Sequence, residues 1–242
     1  AARADTALSR TFHLQAGRGR LFVENGERVS ILEDGVRLTS DSTTVESDWA
    51  RAYRARELAY FFDHVVVRDR KVTMFGDRGT FSRPGDYATL EGHVRIEDPG
   101  GVIHAERARY ERTARLLHLW GQVDFQDPKT RVQADSVLYH EDTGIGDAWG
   151  DVIVTDVATG SEARGRRATY DRKTGLAQLE SAPRLVLRET GQAETWVDAT
   201  RLIVNQDQTE VRARGDVRIQ RGTTVASADS ALLYRNRDVV LL

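Results

Sequence analysis

The chain has 242 residues, of which 40% are hydrophobic and 30% are charged, a composition that can bury a core and excludes a disordered chain. Its net charge of -2 argues against nucleic acid as a partner, because phosphate binding requires a concentrated excess of lysine and arginine. The absence of cysteine excludes disulfides, thiolate metal sites and a cysteine nucleophile. No apolar run approaches the ~18 residues that a membrane-spanning helix needs.

A short string centred on a glycine recurs along the whole chain, which is the signature of a repeat protein. Its clearest copy is LEGHVRI at residues 90–96, where the β-branched residues Val94 and Ile96 follow the glycine and are separated by one residue. In chain order the copies are centred at Gly35, Asp63, Gly92, Gly121, Gly150, Ala182 and Gly215. The centres are 28, 29, 29, 29, 32 and 33 residues apart, so the repeat is nearly constant through the middle of the chain.

A second string lies between successive glycine strings. Its clearest copies are IHAERARY at residues 103–110 and VQADSVLY at residues 132–139. Both strings alternate apolar with polar residues, which is the period of a strand, and turn-forming clusters such as DPGG at residues 98–101 separate them. No segment of ten or more residues carries a convincing helical stripe. The sequence therefore predicts an all-β protein with about two strands per repeat and roughly 14–16 strands altogether.

The glycine inside each first string predicts a bend, because glycine in a strand weakens pairing unless a bend or a bulge requires it. A bend at the same place in every repeat would fold a stack of strands lengthwise into a trough with exposed edges at its ends. Pro183 cannot donate to a strand ladder, so we expect a kink or a frayed strand there. The last residues, 239–242, match residues 116–119, which predicts either an open edge strand or a further segment after Leu242.

The alternation of Gly-x-Val-x-Ile strings with Val-x-Ala-Asp-x-Ala-x-Tyr strings resembles the OstA/LptA family of lipopolysaccharide transport proteins. The family includes the periplasmic bridge protein LptA, the periplasmic part of LptC and the N-terminal domain of LptD, and the resemblance covers residues 16–242. It implies that residues 1–242 form one elongated, twisted, folded-over β-jelly roll of about seven two-stranded repeats. It also implies a periplasmic location, with the signal or anchor segment outside this sequence.

By this resemblance, an apolar groove holds the acyl chains of lipopolysaccharide or a related lipid, and the end strands pair with other Lpt-type β-jelly-roll proteins. The groove residues are then the Val and Ile of the glycine string and the closing aromatic of the second string. These are Val94, Ile96, Val123, Phe125, Val152, Val154, Val217 and Ile219, together with Phe81, Tyr110, Tyr139 and Tyr170. The alternative is that these residues simply pack a dry core, as apolar strand faces usually do.

Three further patterns have simpler explanations than a reactive site. Glu106 and Asp135 recur at equivalent positions, as do Asp77 and Asp229, whereas a catalytic pair is normally unique, so cross-strand ion pairs explain them better. His64 and His93 share one repeat column, and we expect a solvated column there, not a metal site. The aromatic residues that precede the glycine position, Phe62, Trp120 and Trp149, face away from the Val/Ile face. We expect ordinary packing there, and the alternatives are a partner site or contact with sugar rings.

The leading hypothesis is a periplasmic lipid conduit that works without a catalytic residue, metal or cofactor. The alternative is a structural or adhesive β-scaffold that assembles end to end and carries no lipid. An enzyme acting on polysaccharide is the weakest of the three, because no unrepeated pair of acids stands out.

Overall fold

The computed structural model describes residues 13–40, 43–189, 191–205, 209–234 and 239–242. The chain divides into two compact units, Ala1–Pro99 and Gly100–Leu242. In the described residues, both units consist of antiparallel strands joined by short turns, with one 3-10 turn in the first unit. The prediction of an all-β protein is confirmed.

The elements of the first unit are β1 (His13–Gln15), β2 (Arg18–Glu24), β3 (Glu27–Glu33), β4 (Val36–Ser40), β5 (Thr43–Ser47), β6 (Trp49–Tyr53), a 3-10 turn (Arg54–Arg56), β7 (Leu58–Asp69), β8 (Val72–Ser82) and β9 (Tyr87–Asp98). Those of the second unit are β10 (Gly101–Glu111), β11 (Leu116–Gln126), β12 (Thr130–His140), β13 (Ile145–Asp156), β14 (Glu162–Asp171), β15 (Leu176–Glu180), β16 (Arg184–Leu187), β17 (Thr195–Asp198), β18 (Arg201–Asn205), β19 (Glu210–Arg221), β20 (Thr224–Tyr234) and β21 (Val239–Leu241).

The number of strands exceeds the predicted 14–16, because several strands are broken at the bend. The breaks separate β1 from β2, β3 from β4, β5 from β6, β15 from β16 and β17 from β18. When each broken strand is counted once, the described residues hold 16 strands. The two-strand repeat predicted from the sequence is therefore present.

The bend has the same backbone form in almost every repeat. Two consecutive residues take a positive φ, as at Gly92 (74°) and His93 (47°). The copies without glycine do the same, at Asp63 and His64 and at Ser181 and Ala182. The pairs begin at residues 34, 63, 92, 121, 150, 181 and 215, although at 150 only the glycine has a positive φ. The bend thus starts one residue earlier than predicted at two places, and the 29-residue spacing extends from 34 to 150.

Where the strand continues through the bend, at residues 63, 92, 121, 150 and 215, the bend is a β-bulge that inserts one extra residue into the glycine strand. At residues 34 and 181 the strand is broken instead. Gly121 and Gln122 lie between the pairs Trp120–Ser136 and Val123–Ala134, where β12 contributes only Asp135. The same two-against-one pairing recurs between β7 and β8, between β13 and β14 and between β19 and β20. The bulge divides each long strand into an arm before the bend and an arm after it.

Pro183 lies in the expected interruption. β15 ends at Glu180 and β16 begins at Arg184, and both strands pair with β14, so one predicted strand has become two. The proline ring is less than 2% exposed, and it fills the interior next to the break. The repeat also lengthens here, because the connection between β16 and β17 spans residues 188–194.

Candidate lipid-binding face

The inward face is the sheet face that carries the buried apolar residues of both arms, such as Leu119 and Val123 in the second unit. Directly paired residues share a face, so strand register shows which side chains form continuous rows. Before the bend, one row of the second unit runs across ten strands and is here called the hairpin row. Its members are Tyr110, Leu117, Tyr139, Gly146, Tyr170, Ala177, Val204, Val211, Leu233 and Val240.

Val240 takes the place in this row that Leu117 has further up the chain. Val240 lies opposite Leu233, as Leu117 lies opposite Tyr110. The predicted match between residues 239–242 and 116–119 is therefore confirmed by strand register.

After the bend, a second continuous row, here called the far row, crosses nine strands of the same unit. Its members are Ile103, Phe125, Val132, Val154, Ala163, Leu185, Val197, Ile219 and Ala226. Every member of both rows is an apolar or tyrosine side chain, or a glycine. The inward face of the second unit therefore has no fixed charge along these two rows.

The first unit repeats the arrangement on a smaller scale. One row runs through Leu21, Ser30, Ala52, Ala59, Phe81 and Ala88, each paired with the next. Leu21 lies on β2, which pairs only with β3 among the described strands. The Leu21 side chain is 79% exposed, so the inward face of this unit is open to solvent at β2.

The predicted groove residues differ in their exposure. The four valines nearest the bend are buried, and so are two isoleucines further along the arm after it. The buried set is Val94, Ile96, Val123, Val152, Val217 and Ile219. The half-buried set is Phe81, Tyr110, Phe125, Tyr139 and Val154. Tyr170 is exposed, at 37%. All twelve residues lie on the inward face of their own unit, at two depths.

The most buried residues of the second unit form one core cluster, which begins at Ala134 of β12 and includes Val152. Leu179 and Leu202 from the arm before the bend belong to the same core cluster as Val197 and Val217 from the arm after it. All four are at most 1% exposed. In this cluster the inward faces of the two arms pack against each other as an ordinary core.

The sequence-based prediction missed the inward residues of the arm before the bend. Leu90, Leu119, Ala148 and Ala213 are all buried on the inward face, yet they were not among the predicted groove residues. The sequence contained a signal for these four residues, because each is the first residue of a glycine string. Simple alternation through the glycine places Leu119 on the same face as Val123, so the sequence was sufficient to predict these residues.

Among the described residues, Glu106, Asp135 and Asp77 do not form the expected ion pairs with arginine. Instead, the side chains of Glu106 and Asp135 lie against the bend glycines of the following strands, Gly121 and Gly150. Asp77 lies against Gly92 in the same way, and its Oδ2 accepts a hydrogen bond from His93 Nδ1 at 2.8 Å. The acids therefore belong to the bend, on the outward face.

The histidine column is solvated, and each of its two members contacts a carboxylate. Nδ1 of His64 donates a hydrogen bond to Asp48 Oδ2 at 2.8 Å, and this bond raises the pKa of His64 above its ordinary value. Among the described residues, no group of three or more histidine, aspartate or glutamate side chains could hold a metal ion.

The outward aromatic residues pack against their neighbours. The ring of Phe62 stacks on Trp49 with 3.9 Å between ring centroids, and Trp120 lies 4.6 Å from His118. Phe62, Trp120 and Trp149 are all half-buried. Ordinary packing accounts for Phe62 and Trp120.

In the described part of the chain, no helix has the length and apolar character needed to cross a membrane.

Residues 23–176, more than half of the chain, match the sequence profile of a family described as LptA/(LptD N-terminal domain) LPS transport protein. No curated protein matches the chain significantly. Among solved structures, the chain is similar to LptH from Pseudomonas aeruginosa, described as the LptA homologous periplasmic component of the conserved lipopolysaccharide transport device. The identity is 17%, the match covers 46% of this chain and 80% of LptH, and the TM-score is 0.43.

Proposed function

Because the chain belongs to the LptA/LptD N-terminal domain family of LPS transport proteins, we propose that it is a periplasmic conduit that binds the acyl chains of lipopolysaccharide or a related lipid on its inward face. The observation that carries this proposal is the hairpin row, which is continuous over ten strands and free of charge. Binding is non-covalent and requires no catalytic residue, metal or cofactor.

Half-exposed apolar side chains provide the driving force. Removing apolar surface from water stabilises a complex by about 25 cal/mol for each Å², and each buried methylene of an acyl chain contributes about 0.8 kcal/mol. Such contacts have no direction, so they hold a chain without fixing its position along a row. A lipid can therefore slide along the face, which is what a conduit requires.

The exposure of the twelve predicted residues supports a division of roles. Phe81, Tyr110, Phe125, Tyr139 and Val154 are half-buried and Tyr170 is exposed, so these side chains can contact an acyl chain directly. The more deeply buried residues near the bend, such as Val123 and Val152, form the floor beneath them. A lipid could enter the region around Leu179, Leu202 and Val217 only if these packed side chains moved apart.

The tyrosines place a polar group beside this apolar face. The hydroxyl of Tyr110 donates a hydrogen bond to Glu141 Oε2 at 3.0 Å, and Glu141 also lies 3.5 Å from the guanidinium of Arg115. Tyrosine suits such a position because its ring is apolar and its hydroxyl remains hydrated. The row thus has an apolar side for chains and a polar rim at the hairpins.

The partners of a conduit are further domains of the same fold, joined by strand pairing. β2 pairs only with β3 among the described strands, and its Leu21 and Val23 are 79% and 67% exposed. In the second unit, Thr224–Ala228 of β20 pairs only with β19 among the described strands, and Val225 is 50% exposed. Unpaired edges of this kind are templates for pairing with another chain.

The proposal is tested by site-specific photo-crosslinking in cells that export lipopolysaccharide. A benzophenone amino acid at Phe125, on the far row, should capture lipopolysaccharide. The same probe at the preceding residue, Asp124, should not capture lipopolysaccharide. The Asp124 side chain accepts a hydrogen bond from Arg131 and lies on the outward face, away from the row. If neither Phe125 nor Tyr139 captures lipid, the inward rows are only a core and the chain is a β-scaffold without cargo.

A further inference from the structure

A tryptophan is exposed on the outward face of the second unit, away from the inward rows. Trp196 of β17 is 40% exposed, whereas its chain neighbours Thr195 and Val197 face inward and are buried. Its partner in strand register is Val186, which is only 5% exposed although it also faces outward. The side chains around Val186 therefore cover it, and Val186 is the apolar residue opposite Trp196 in strand register.

An ion pair formed by Arg184 and Asp198 lies beside the Trp196 ring. The guanidinium carbon of Arg184 lies 5.2 Å from the centre of the Trp196 ring. Arg184 donates two hydrogen bonds to Asp198, at 2.6 and 3.1 Å, which hold its side chain in place and neutralise its charge. Arg184 is therefore part of the wall and not a free cation.

A second arginine on the same face remains free for a ligand. Arg218 stands opposite Asp198 in strand register and is exposed, and it has no ion-pair partner in the part of the chain that the structure describes. Gln220 stands opposite Trp196. These two residues line a surface pocket of about 350 Å³ together with Arg184, Trp196 and Asp198. The ionised side chains of this pocket sum to a single positive charge.

These groups match the chemistry of one class of ligand. An indole ring packs against the apolar face of a sugar ring, and an amide such as that of Gln220 can both donate to and accept from hydroxyl groups. A free guanidinium binds phosphate in a bidentate manner. We propose that Trp196, Arg218 and Gln220 form an outward-facing site for a phosphorylated sugar, either free or as the headgroup of a glycolipid. This proposal is independent of acyl-chain binding on the inward face.

The site is tested by nuclear magnetic resonance of the tryptophan indole groups in the whole chain. The protein contains four tryptophans, so four indole signals are expected, and Trp196→Phe identifies the relevant one. Glucose 6-phosphate should shift the Trp196 signal with a dissociation constant about tenfold lower than that of methyl glucoside or inorganic phosphate, because each of these offers only one of the two contacts.

Variants separate this site from general attraction of anions. Arg218→Gln should weaken binding of glucose 6-phosphate about tenfold and leave binding of methyl glucoside unchanged. Arg218→Lys, which keeps the charge, should retain part of the affinity. Arg214→Gln is the matched control, because Arg214 also faces outward on β19 without an ion-pair partner among the described residues, and it should have no effect.

A second ligand distinguishes the two sources of the sugar. Lipopolysaccharide from which the acyl chains have been removed carries the headgroup but cannot use the inward rows. If it binds at Trp196 more tightly than glucose 6-phosphate, the ligand is a glycolipid headgroup, and if it binds no more tightly, the ligand is a free sugar phosphate. The proposal is overturned if neither ligand shifts the Trp196 signal, or if Arg214→Gln weakens binding as much as Arg218→Gln does.

Discussion

The side chain of Glu106 occupies the space that a side chain on Gly121 would need. A Cβ atom added to Gly121 would lie 2.6 Å from Glu106 Cβ, and the φ of Gly121 is +81°. Two independent reasons therefore require glycine here, a left-handed backbone and a close neighbour. The same relation recurs between Asp135 and Gly150 and between Asp77 and Gly92, so the bend is a repeated packing unit.

We expect Gly121→Ala to lower the free energy of unfolding by about 3 kcal/mol, because backbone strain and overpacking add. The control is Gly160→Ala in the same unit, where φ is +71° but nothing lies within 4 Å of an added Cβ. This change should cost only about 1 kcal/mol for the backbone. Urea unfolding measures both, and equal losses would show that Glu106 makes no steric contribution.

The pair of His64 and Asp48 should make the stability of the first unit depend on pH. Hydrogen bonding to Asp48 raises the pKa of His64 above its ordinary value of 6.5. The stabilisation is fully present below the unfolded-state pKa and is lost as pH rises through the raised, folded-state pKa. The effect is small, because both side chains are largely exposed to solvent.

Asp48→Asn should therefore lower the pKa of His64, as measured by nuclear magnetic resonance titration of the imidazole. In unfolding experiments, both Asp48→Asn and His64→Gln should lower the stability slightly below pH 6.5 and should abolish the small loss of stability that the native chain shows as pH rises above 6.5. A His64 pKa that is unchanged in Asp48→Asn would mean that another group sets it.

A charge on the far row should block lipid binding and leave the fold intact. Phe125 is half-buried and lies between Ile103 and Val132, so Phe125→Glu places a carboxylate where the acyl chain would pack. Lipopolysaccharide transport in cells should fall at least about tenfold, because a buried charge without a partner costs several kcal/mol. The far-ultraviolet circular dichroism spectrum should not change.

The matched control for Phe125→Glu is Gln126→Glu, which adds the same charge one residue later, on the outward face of β11. Transport in this variant should be normal. A loss of transport in Gln126→Glu as well would indicate a general effect of negative charge and would count against the far row as a lipid contact.

Association of copies or related domains should depend on the exposed edge at β2. Lysine is a residue that natural edge strands use against pairing, so the double change Leu21→Lys and Val23→Lys should weaken association about tenfold. Leu176→Lys on β15 is the control, because Leu176 is 43% exposed but β15 already has a strand on each side. Sedimentation at increasing protein concentration measures the association. If Leu176→Lys weakens association as much as the double change on β2 does, β2 has no special role.

The repeat, the strand content and the bend could be predicted from sequence because they follow from local signals. A glycine every 29 residues marks a backbone that needs positive φ, and alternation marks strands. The exact start of the bend was not predicted at Asp34 and Ser181, since a residue with a side chain gives no sign that tertiary packing will impose a positive φ. The break at Pro183 was predictable from the missing donor, whereas the complete burial of its ring was not.

The site was less predictable than the fold, because depth depends on contacts between distant strands. Val123 and Phe125 have the same pattern in sequence, yet Val123 is 3% exposed and Phe125 is half-buried. Glu106 and Arg107 are both exposed although they are adjacent in one strand, because that strand passes the bulge of β11 and loses its strict alternation. Single-strand patterns cannot reveal such changes, since they arise from the pairing of two strands.

The central claim, that acyl chains lie on the inward rows, is tested most directly by a probe on the lipid itself. Lipopolysaccharide with a photoreactive group in its acyl chains should label Phe125, Tyr110 and Tyr139 when irradiated with the purified protein, as identified by mass spectrometry of peptides. The outward residues Asp124 and Trp120 should remain unlabelled. Labels confined to outward residues, or no labels on the three inward residues, would contradict the claim.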